Sequence, residues 1–270
     1  MKRRDFVKIV GLATGGLLLG CNVSADKVVV NTLENGISFV PNLFIQLQKD
    51  GTVTIVVARS EMGQGIRTSM ASAIAEDLEA DWKYVTVQQA TGDAKFGNQN
   101  TDGSRSIRTL LKPMRKMGAM ARSILEQAAA KKWNIAASDC KAENHFVVNN
   151  TTGEKVFFGD LVEEAKTIAI PSDENIILKD KKDFKYIGKK VVRGIDMEDF
   201  LHGKANYGLD ARLPNMKFAS IARSPVTFGS VKSFDTSEAT EITGVEQVVQ
   251  LDRLIPPAGQ FFGMLGGVAV

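Results

Sequence analysis

Between Thr52 and Leu78 three patterns follow one another without a break, and together they fix the local path of the chain. Thr52 to Ala58 (Thr-Val-Thr-Ile-Val-Val-Ala) is β-branched and of strand length, while Met70, Ile74 and Leu78 recur every four residues and mark a helix face. Between them lies Glu61-Met62-Gly63-Gln64-Gly65-Ile66-Arg67-Thr68. Gly63 and Gly65 carry no Cβ, so the backbone around Gln64 can take tight-turn dihedrals and bring N–H groups against a ligand. A helix N-terminus placed there suits an anion. Strand-to-helix connections also use glycine for steric reasons alone, so the turn by itself carries two readings.

A second turn of the same character follows: Asn100-Thr101-Asp102-Gly103-Ser104-Arg105-Ser106-Ile107-Arg108 runs into a helical stripe of Leu110, Leu111, Met114, Met117, Ala121, Ile124, Leu125 and Ala128. Thr101, Ser104 and Ser106 offer hydroxyls, and Arg105 a planar fork that matches phosphate geometry. The competing reading is a Ser/Thr helix cap with solvated arginines. Two such turns close together favour a ligand with a diphosphate or several anionic groups.

At these residues the chain resembles the molybdopterin-binding large subunits of the xanthine dehydrogenase and aldehyde oxidase family, in the branch typified by isoquinoline 1-oxidoreductase β subunits. The resemblance is carried by Glu61-Met62-Gly63-Gln64-Gly65 with Thr68, by Ala75-Glu76-Asp77-Leu78, and by Thr101-x-Gly103-Ser104-x-Ser106. A third block runs from Gly203-Lys204-Ala205-Asn206-Tyr207-Gly208-Leu209-Asp210 through Leu213-Pro214-Asn215-Met216 to Ala222-Arg223-Ser224-Pro225. It resembles the α/β hammerhead domain of the same family, as do Val231–Asp235 and Gly244–Val249, a strand and a second strand separated by a helix-sized spacer. The chain departs from the family at Asp199-Phe200-Leu201-His202-Gly203 and at Pro214-Asn215, both read as surface turns.

The resemblance implies an α+β (mixed α/β) fold, with a cofactor-binding segment over residues 26–195 and a hammerhead domain over 196–270. It also implies a cofactor contact set of Gly63, Gln64, Gly65, Thr68, Thr101, Gly103, Ser104, Arg105 and Ser106. The cofactor would be molybdenum–molybdopterin, with or without a cytosine dinucleotide, and the reaction hydroxylation of aldehydes or N-heterocycles such as isoquinoline, with water as the oxygen source. Electrons would leave through a small partner subunit carrying [2Fe-2S] clusters, with a c-type cytochrome as a further candidate acceptor. The family's catalytic glutamate lies outside the chain, which reads as an N-terminal fragment, so no catalytic residue is assigned and the chain alone is expected to be inactive. Glu61 is read as a helix-terminus charge and Glu76 as part of a solvated face. Two other classes stay open: a lipid-anchored, cofactor-free binding or assembly protein of the same fold, and a nucleotide-binding α/β domain. The latter is weakened because Thr68 stands where GxGxxG needs glycine and no P-loop lysine follows.

The N-terminus has its own logic. Basic residues including the pair Arg3-Arg4 precede an apolar, glycine-rich run from Ile9 to Gly20 that is too short to span a bilayer. Residues 1–25 are read as a signal segment for twin-arginine export to the periplasm, a route for folded, cofactor-loaded cargo. Leu18-Leu19-Gly20-Cys21 resembles a lipobox, with Cys21 the lipidated residue of a membrane-anchored lipoprotein, and Val23-Ser24-Ala25 offers cleavage after Ala25 instead.

A net charge of +3 with mixed signs along the chain gives no basic stripe for nucleic acid, and two cysteines cannot frame a disulfide scaffold or an iron–sulfur cluster. Cys140, His145 and His202 are read as structural, and no metal ligand is assigned. A linker is expected to about Ser38, then strands Phe44–Gln48, Val53–Val57 and Val85–Gln89, a β-hairpin turning at Thr151–Glu154, and a short helix from Gly159 to Lys166. Residues 179–185, crowded with lysine and aspartate, read as a solvated link, and Gly266–Val270 as an apolar strand left open at its edge and prone to aggregation.

Overall fold

The structure is a computed structural model, and it describes residues 17–20, 31–33, 37–39, 43–93, 96–189, 191–226, 229–252 and 266–270. Chain contacts divide it into two units, Met1–Tyr207 and Gly208–Val270.

In the first unit, β1 (Leu17–Gly20) and the hairpin of β2 (Asn31–Leu33) and β3 (Ile37–Phe39) precede β4 (Leu43–Leu47) and β5 (Val53–Val57). The hairpin replaces the plain linker expected before Ser38. Helix α1 (Ile66–Leu78) then crosses over to β6 (Val85–Gln89), so that β5 and β6 pair in parallel with Val53 opposite Val85. The sheet order is β1-β4-β5-β6, and β5 is buried on both faces, as an unbroken β-branched run requires. Helix α2 (Arg105–Trp133) packs along α1 and buries Met114, Met117, Ala121, Ile124, Leu125 and Ala128. The two helices approach so closely that a Cβ on Gly118 would run into the Ile74 carbonyl.

A second, antiparallel sheet follows: β7 (Cys140–Glu143), β8 (Phe146–Asn149) and β9 (Lys155–Phe157), then a 3-10 turn over Phe158–Leu161 and helix α3 (Val162–Ala165). His145 locks this sheet to the first. It sits fully buried in the β7–β8 turn, stacked on Tyr84 with ring centroids 4.4 Å apart. Its Nδ1 accepts from the Asp81 N–H at 3.2 Å, so the ring proton is on Nε2, which donates to the Gly51 carbonyl at 2.9 Å. Burial pushes its pKa below the usual histidine value, against the opposing pull of the Gly51 carbonyl and Asp81. Cys140 is buried and unbonded.

Residues 179–185 are solvated only over Asp180–Asp183, which are exposed; both ends of the stretch are pinned to α1. They run along α1, where Lys179 is 7% exposed and fastened to Glu76 at 2.7 Å. Glu76 itself is fully buried, and its carboxylate accepts the backbone N–H groups of Lys185, Tyr186 and Ile187 at 2.7–3.0 Å. Asp77, also fully buried, binds Arg115 Nε at 2.6 Å and the Lys179 N–H at 2.7 Å. The expected solvated face of α1 is therefore a buried anchor, and it carries the chain to helix α4 (Met197–Leu201).

The second unit holds β10 (Ile221–Arg223), α5 (Ser237–Glu241), β11 (Val249–Leu251) and β12 (Gly267–Ala269). Its sheet order is β10-β12-β11, so the terminal strand, expected to stand open at its edge, is hydrogen-bonded on both sides, with Ala269 opposite both Ile221 and Val249. Val231–Asp235 is not a strand; α5 fills the helix-sized spacer after it. The unit exposes large apolar side chains, among them Leu209 and Phe218, the latter under the Arg212 guanidinium. Among the described residues no helix is long and apolar enough to cross a membrane.

Candidate cofactor site

The site begins where β5 ends. Gly63 and Gly65 adopt φ of 98° and 77°, left-handed values that ordinary residues avoid, and the turn they make delivers the chain into α1. The anion cradle expected from this turn forms, and the chain's own carboxylate fills it. Glu61 Oε1 accepts from the N–H groups of Gly63 and Gly65 at 2.9 and 2.8 Å, and Oε2 from the Arg67 N–H at 3.2 Å. Gly65 provides no side-chain cap for α1, so Glu61 does that work from outside the helix, consistent with its reading as a helix-terminus charge. The backbone amides of Gly63 and Gly65 are thus already committed.

Gln64 folds back over the same turn: Oε1 accepts from the Met62 N–H at 2.6 Å and Nε2 donates to the Ser60 carbonyl at 3.1 Å. An amide offers two donor hydrogens and two lone pairs, so each end keeps one further hydrogen-bonding position. Gln64 is exposed, and a Cβ added at Gly65 would meet nothing within 4 Å. There is open room for a ligand beside this turn.

The second turn is drawn against the first. The Ser60 N–H donates to Thr101 Oγ1 at 2.9 Å, and Arg59 NH1 donates to Asn98 Oδ1 at 3.2 Å and to the Asn100 carbonyl. Gly103 and Ser104 are both left-handed, with φ of 46° and 56°; Ser104 is the residue before α2, but its hydroxyl makes no capping bond. Arg105 pairs with Asp102 within the turn, Nε to Oδ1 at 2.6 Å and NH2 to Oδ2 at 2.7 Å, and Asn100 Nδ2 donates to Asp102 at 3.0 Å. The Arg105 bond holds the Asp102 carboxyl below its ordinary pKa, and the Asp102 bond raises that of Arg105. Ser106 is buried in the first turn of α2.

A third stretch closes over the glycine turn. The Ile195 N–H donates to Thr68 Oγ1 at 3.0 Å, and Asp196 Oδ1 pairs with Arg67 NH1 at 2.5 Å. Burial raises the Asp196 pKa against the pull of Arg67, with Glu61 and Asp199 adding to the rise. Behind this pair Glu61, Arg67, Asp199, Phe200, Lys204 and Tyr207 border a cavity of about 250 Å³. Among the described residues no group of His, Cys, Asp or Glu could hold a metal ion directly.

The sequence-predicted residues divide accordingly. Gly63, Gln64, Gly65, Thr101, Gly103, Ser104, Arg105 and Ser106 come together as two neighbouring turns, and Thr68 ties down the stretch that covers the first. Cys21 and the Arg3-Arg4 pair lie outside the described residues. Sequence reasoning missed Arg59, Asp102 and Asp196. Arg59 follows a β-branched run with no polar alternation, so its burial is foreshadowed by its position.

Residues 3–199 match the model of the molybdopterin cofactor-binding domain. The chain belongs to this molybdopterin-binding family, within the xanthine dehydrogenase group. It is 26% identical to an isoquinoline 1-oxidoreductase β subunit of Brevundimonas diminuta over 96% of its own length and 38% of that protein. It is 29% identical to a membrane-bound aldehyde dehydrogenase (pyrroloquinoline-quinone) of Gluconacetobacter polyoxogenes, over 80% of this chain and 28% of the relative. A nicotinate dehydrogenase subunit of Pseudomonas putida is 30% identical over 77% of this chain and 18% of its own length. The chain thus spans less than two-fifths of the curated relatives it matches. The family's cofactor, molybdenum–molybdopterin, fits the donor set here in one respect and not in another. Gln64, the hydroxyls of the second turn and the open space at Gly65 suit a ligand rich in both donors and acceptors, whereas the backbone N–H groups of the first turn are occupied by Glu61.

Proposed function

We propose that this chain builds part of the molybdopterin site in the large subunit of a molybdenum hydroxylase that oxidises aldehydes or N-heterocycles. The observation that carries the reading is the Ser60–Thr101 hydrogen bond, which draws two ligand-type turns from separate parts of the chain into one surface. The bound cofactor supplies two-electron oxidation chemistry that no side chain here can supply. The residues bind and orient it. Gln64 offers an amide hydrogen and a lone pair toward the open side of its turn, while Ser104 and Thr101 offer hydroxyls from the second turn. Glu61 occupies the N–H groups of the first turn, so the hydroxyls of the second turn and the Arg105 N–H groups that Asp102 leaves unbonded would hold the anionic end of the cofactor.

The same reading gives residues 196–270 the role of a hammerhead domain, and gives the protein a [2Fe-2S] partner subunit and a twin-arginine route to the periplasm. Support for these rests on the sequence: the Gly203–Asp210 block, the lack of cysteines able to hold a cluster, and the Arg3-Arg4 pair. Replacing Gln64 by Ala in the full-length polypeptide is expected to lower molybdenum per chain without lowering its thermal midpoint; full loading would overturn the site. Arg3→Lys with Arg4→Lys is expected to strand the precursor in the cytoplasm. Cys21→Ala then separates a lipoprotein, which would lose membrane association, from cleavage after Ala25, which would give the same soluble product.

A further inference from the structure

Three consecutive residues at the end of β5 act on three different parts of the site. Glu61 organises the glycine turn, Ser60 bonds across to Thr101, and Arg59 reaches beneath the second turn. Arg59 is the unusual member. It is only 4% exposed, and burying a guanidinium is costly unless it is paired. Among the described residues no carboxylate forms an ion pair with it, and Asp102 acts on it only through space; its NH1 is spent on two neutral oxygens, Asn98 Oδ1 and the Asn100 carbonyl, and its Nε is buried without a partner. Asp102, whose charge favours the Arg59 cation, is itself bonded to Arg105, whereas Arg115 in the same unit is bonded directly to the Asp77 carboxylate. What Arg59 does instead is tie down the backbone just before Thr101, Gly103 and Ser104. Asn98 relays the hold, because its Oδ1 also accepts the Asn100 N–H at 2.9 Å.

We infer that Arg59 is a positioning residue of the cofactor site: through Asn98 and Asn100 it sets the second turn at the distance from the glycine turn that one ligand can bridge. The inference rests on the cofactor reading above. It assigns Arg59 no contact with the ligand. Because a single nitrogen makes both bonds, a lysine ammonium, whose stem ends one bond short of that nitrogen, keeps part of the hold, whereas an apolar chain of similar length keeps none.

The test compares full-length protein carrying Arg59→Met, Arg59→Lys, Asn98→Ala or Gln64→Ala by molybdenum per chain and by amide hydrogen exchange. Arg59→Met is expected to lower loading about tenfold or more, the scale on which outer-shell residues act. Faster exchange should be confined to residues 98–104, with α1 and α2 as protected as before. Arg59→Lys is expected to load better than Arg59→Met and less well than wild type. Asn98 is exposed, so Asn98→Ala should fold normally and shift both readouts in the same direction by less. If Gln64→Ala loses the metal while Arg59→Met and Asn98→Ala keep it, the positioning role is wrong and the cofactor site stands. If all the variants load fully, the cofactor site itself is misplaced and this inference goes with it. Where Arg59→Met speeds exchange throughout the unit, Asn98→Ala decides, and full loading in that variant overturns the role.

Discussion

Glu61 and Glu76 stand at opposite ends of α1 and do the same thing chemically, yet their consequences differ. Each carboxylate gathers three backbone N–H groups: Glu61 those of Gly63, Gly65 and Arg67, Glu76 those of Lys185, Tyr186 and Ile187. The donors of Glu61 lie within six residues of it and the group is half-buried, so water can replace them. The donors of Glu76 lie more than a hundred residues away, the carboxylate is fully buried, and Lys179 is buried beside it. A local anion shapes a loop, whereas a remote, dry one holds two parts of the chain together.

The sharpest way to break that comparison is Glu76→Ala. It leaves the Lys179 ammonium with Glu79 alone, at 2.7 Å, and takes the acceptor from three part-buried N–H groups, a combined loss of about 3 kcal/mol or more. For a unit of this size that is a fall of about 10 °C in Tm, read by calorimetry or by denaturant unfolding. Retention of the wild-type midpoint would show that residues 179–187 are held by something else.

Acid titration sharpens the same point. Burial alone would raise the Glu76 pKa, but the Lys179 bond and the three backbone N–H bonds outweigh it and hold the group below the ordinary carboxylate value of 4.5. A depressed folded pKa stabilises the fold above the unfolded value, and that gain disappears as pH falls from 4.5 through the folded value. The stability gap between wild type and Glu76→Gln is therefore expected to be constant at neutral pH and to shrink below about pH 4.5. His145 gives a separate limb: its folded pKa lies below 6.5, so stability falls as pH drops beneath 6.5, and His145→Gln should remove that limb alone. Parallel pH curves for wild type and Glu76→Gln down into strong acid would contradict the assignment.

How much of this could be read from the sequence follows the same division between local and remote. The strands Val53–Val57 and Val85–Gln89, the stripe of α2 and both turns are local patterns of periodicity or glycine placement, and they stand where the residues predicted them. The α+β architecture and the family follow from the resemblance that the two turn motifs carry. A carboxylate looks the same in sequence whether it faces water or a backbone more than a hundred residues away, so Glu76 reads as a solvated face and residues 179–185 as a solvated link. One signal is present: from Met70 to Leu78 every residue other than Ser72, Glu76 and Asp77 is apolar, so the end of α1 that carries the two carboxylates is set among apolar neighbours. The terminal strand escapes a local reading for the same reason, since its partners Ile221–Arg223 and Val249–Leu251 are set by the fold of the second unit and no local pattern names them.

At the other end of α1, Gly65→Val tests the turn apart from the carboxylate. The added side chain has open space, so its cost is the left-handed backbone alone, about 1–2 kcal/mol. Gly65→Asn, which tolerates that conformation, should lose much less. If Val and Asn cost the same in urea unfolding, steric demand at this φ does not govern the turn.

The smallest effect is expected at Glu61, although it makes as many backbone bonds as Glu76. Glu61→Ala removes the acceptor for the Gly63, Gly65 and Arg67 N–H groups, all at or just before the start of α1. Losses of helix-terminal capping groups cost about 1 kcal/mol, because the freed donors turn to water. Glu61→Gln keeps an acceptor oxygen and gives up the charge at the helix terminus, so it should lose about half as much. Amide exchange is expected to rise at Gly63, Gly65 and Arg67 in the alanine variant and nowhere else in the unit. A loss in Glu61→Ala as large as that in Glu76→Ala would mean that the glycine turn supports the fold rather than only shaping a site, and that reach along the chain is not what separates the two carboxylates.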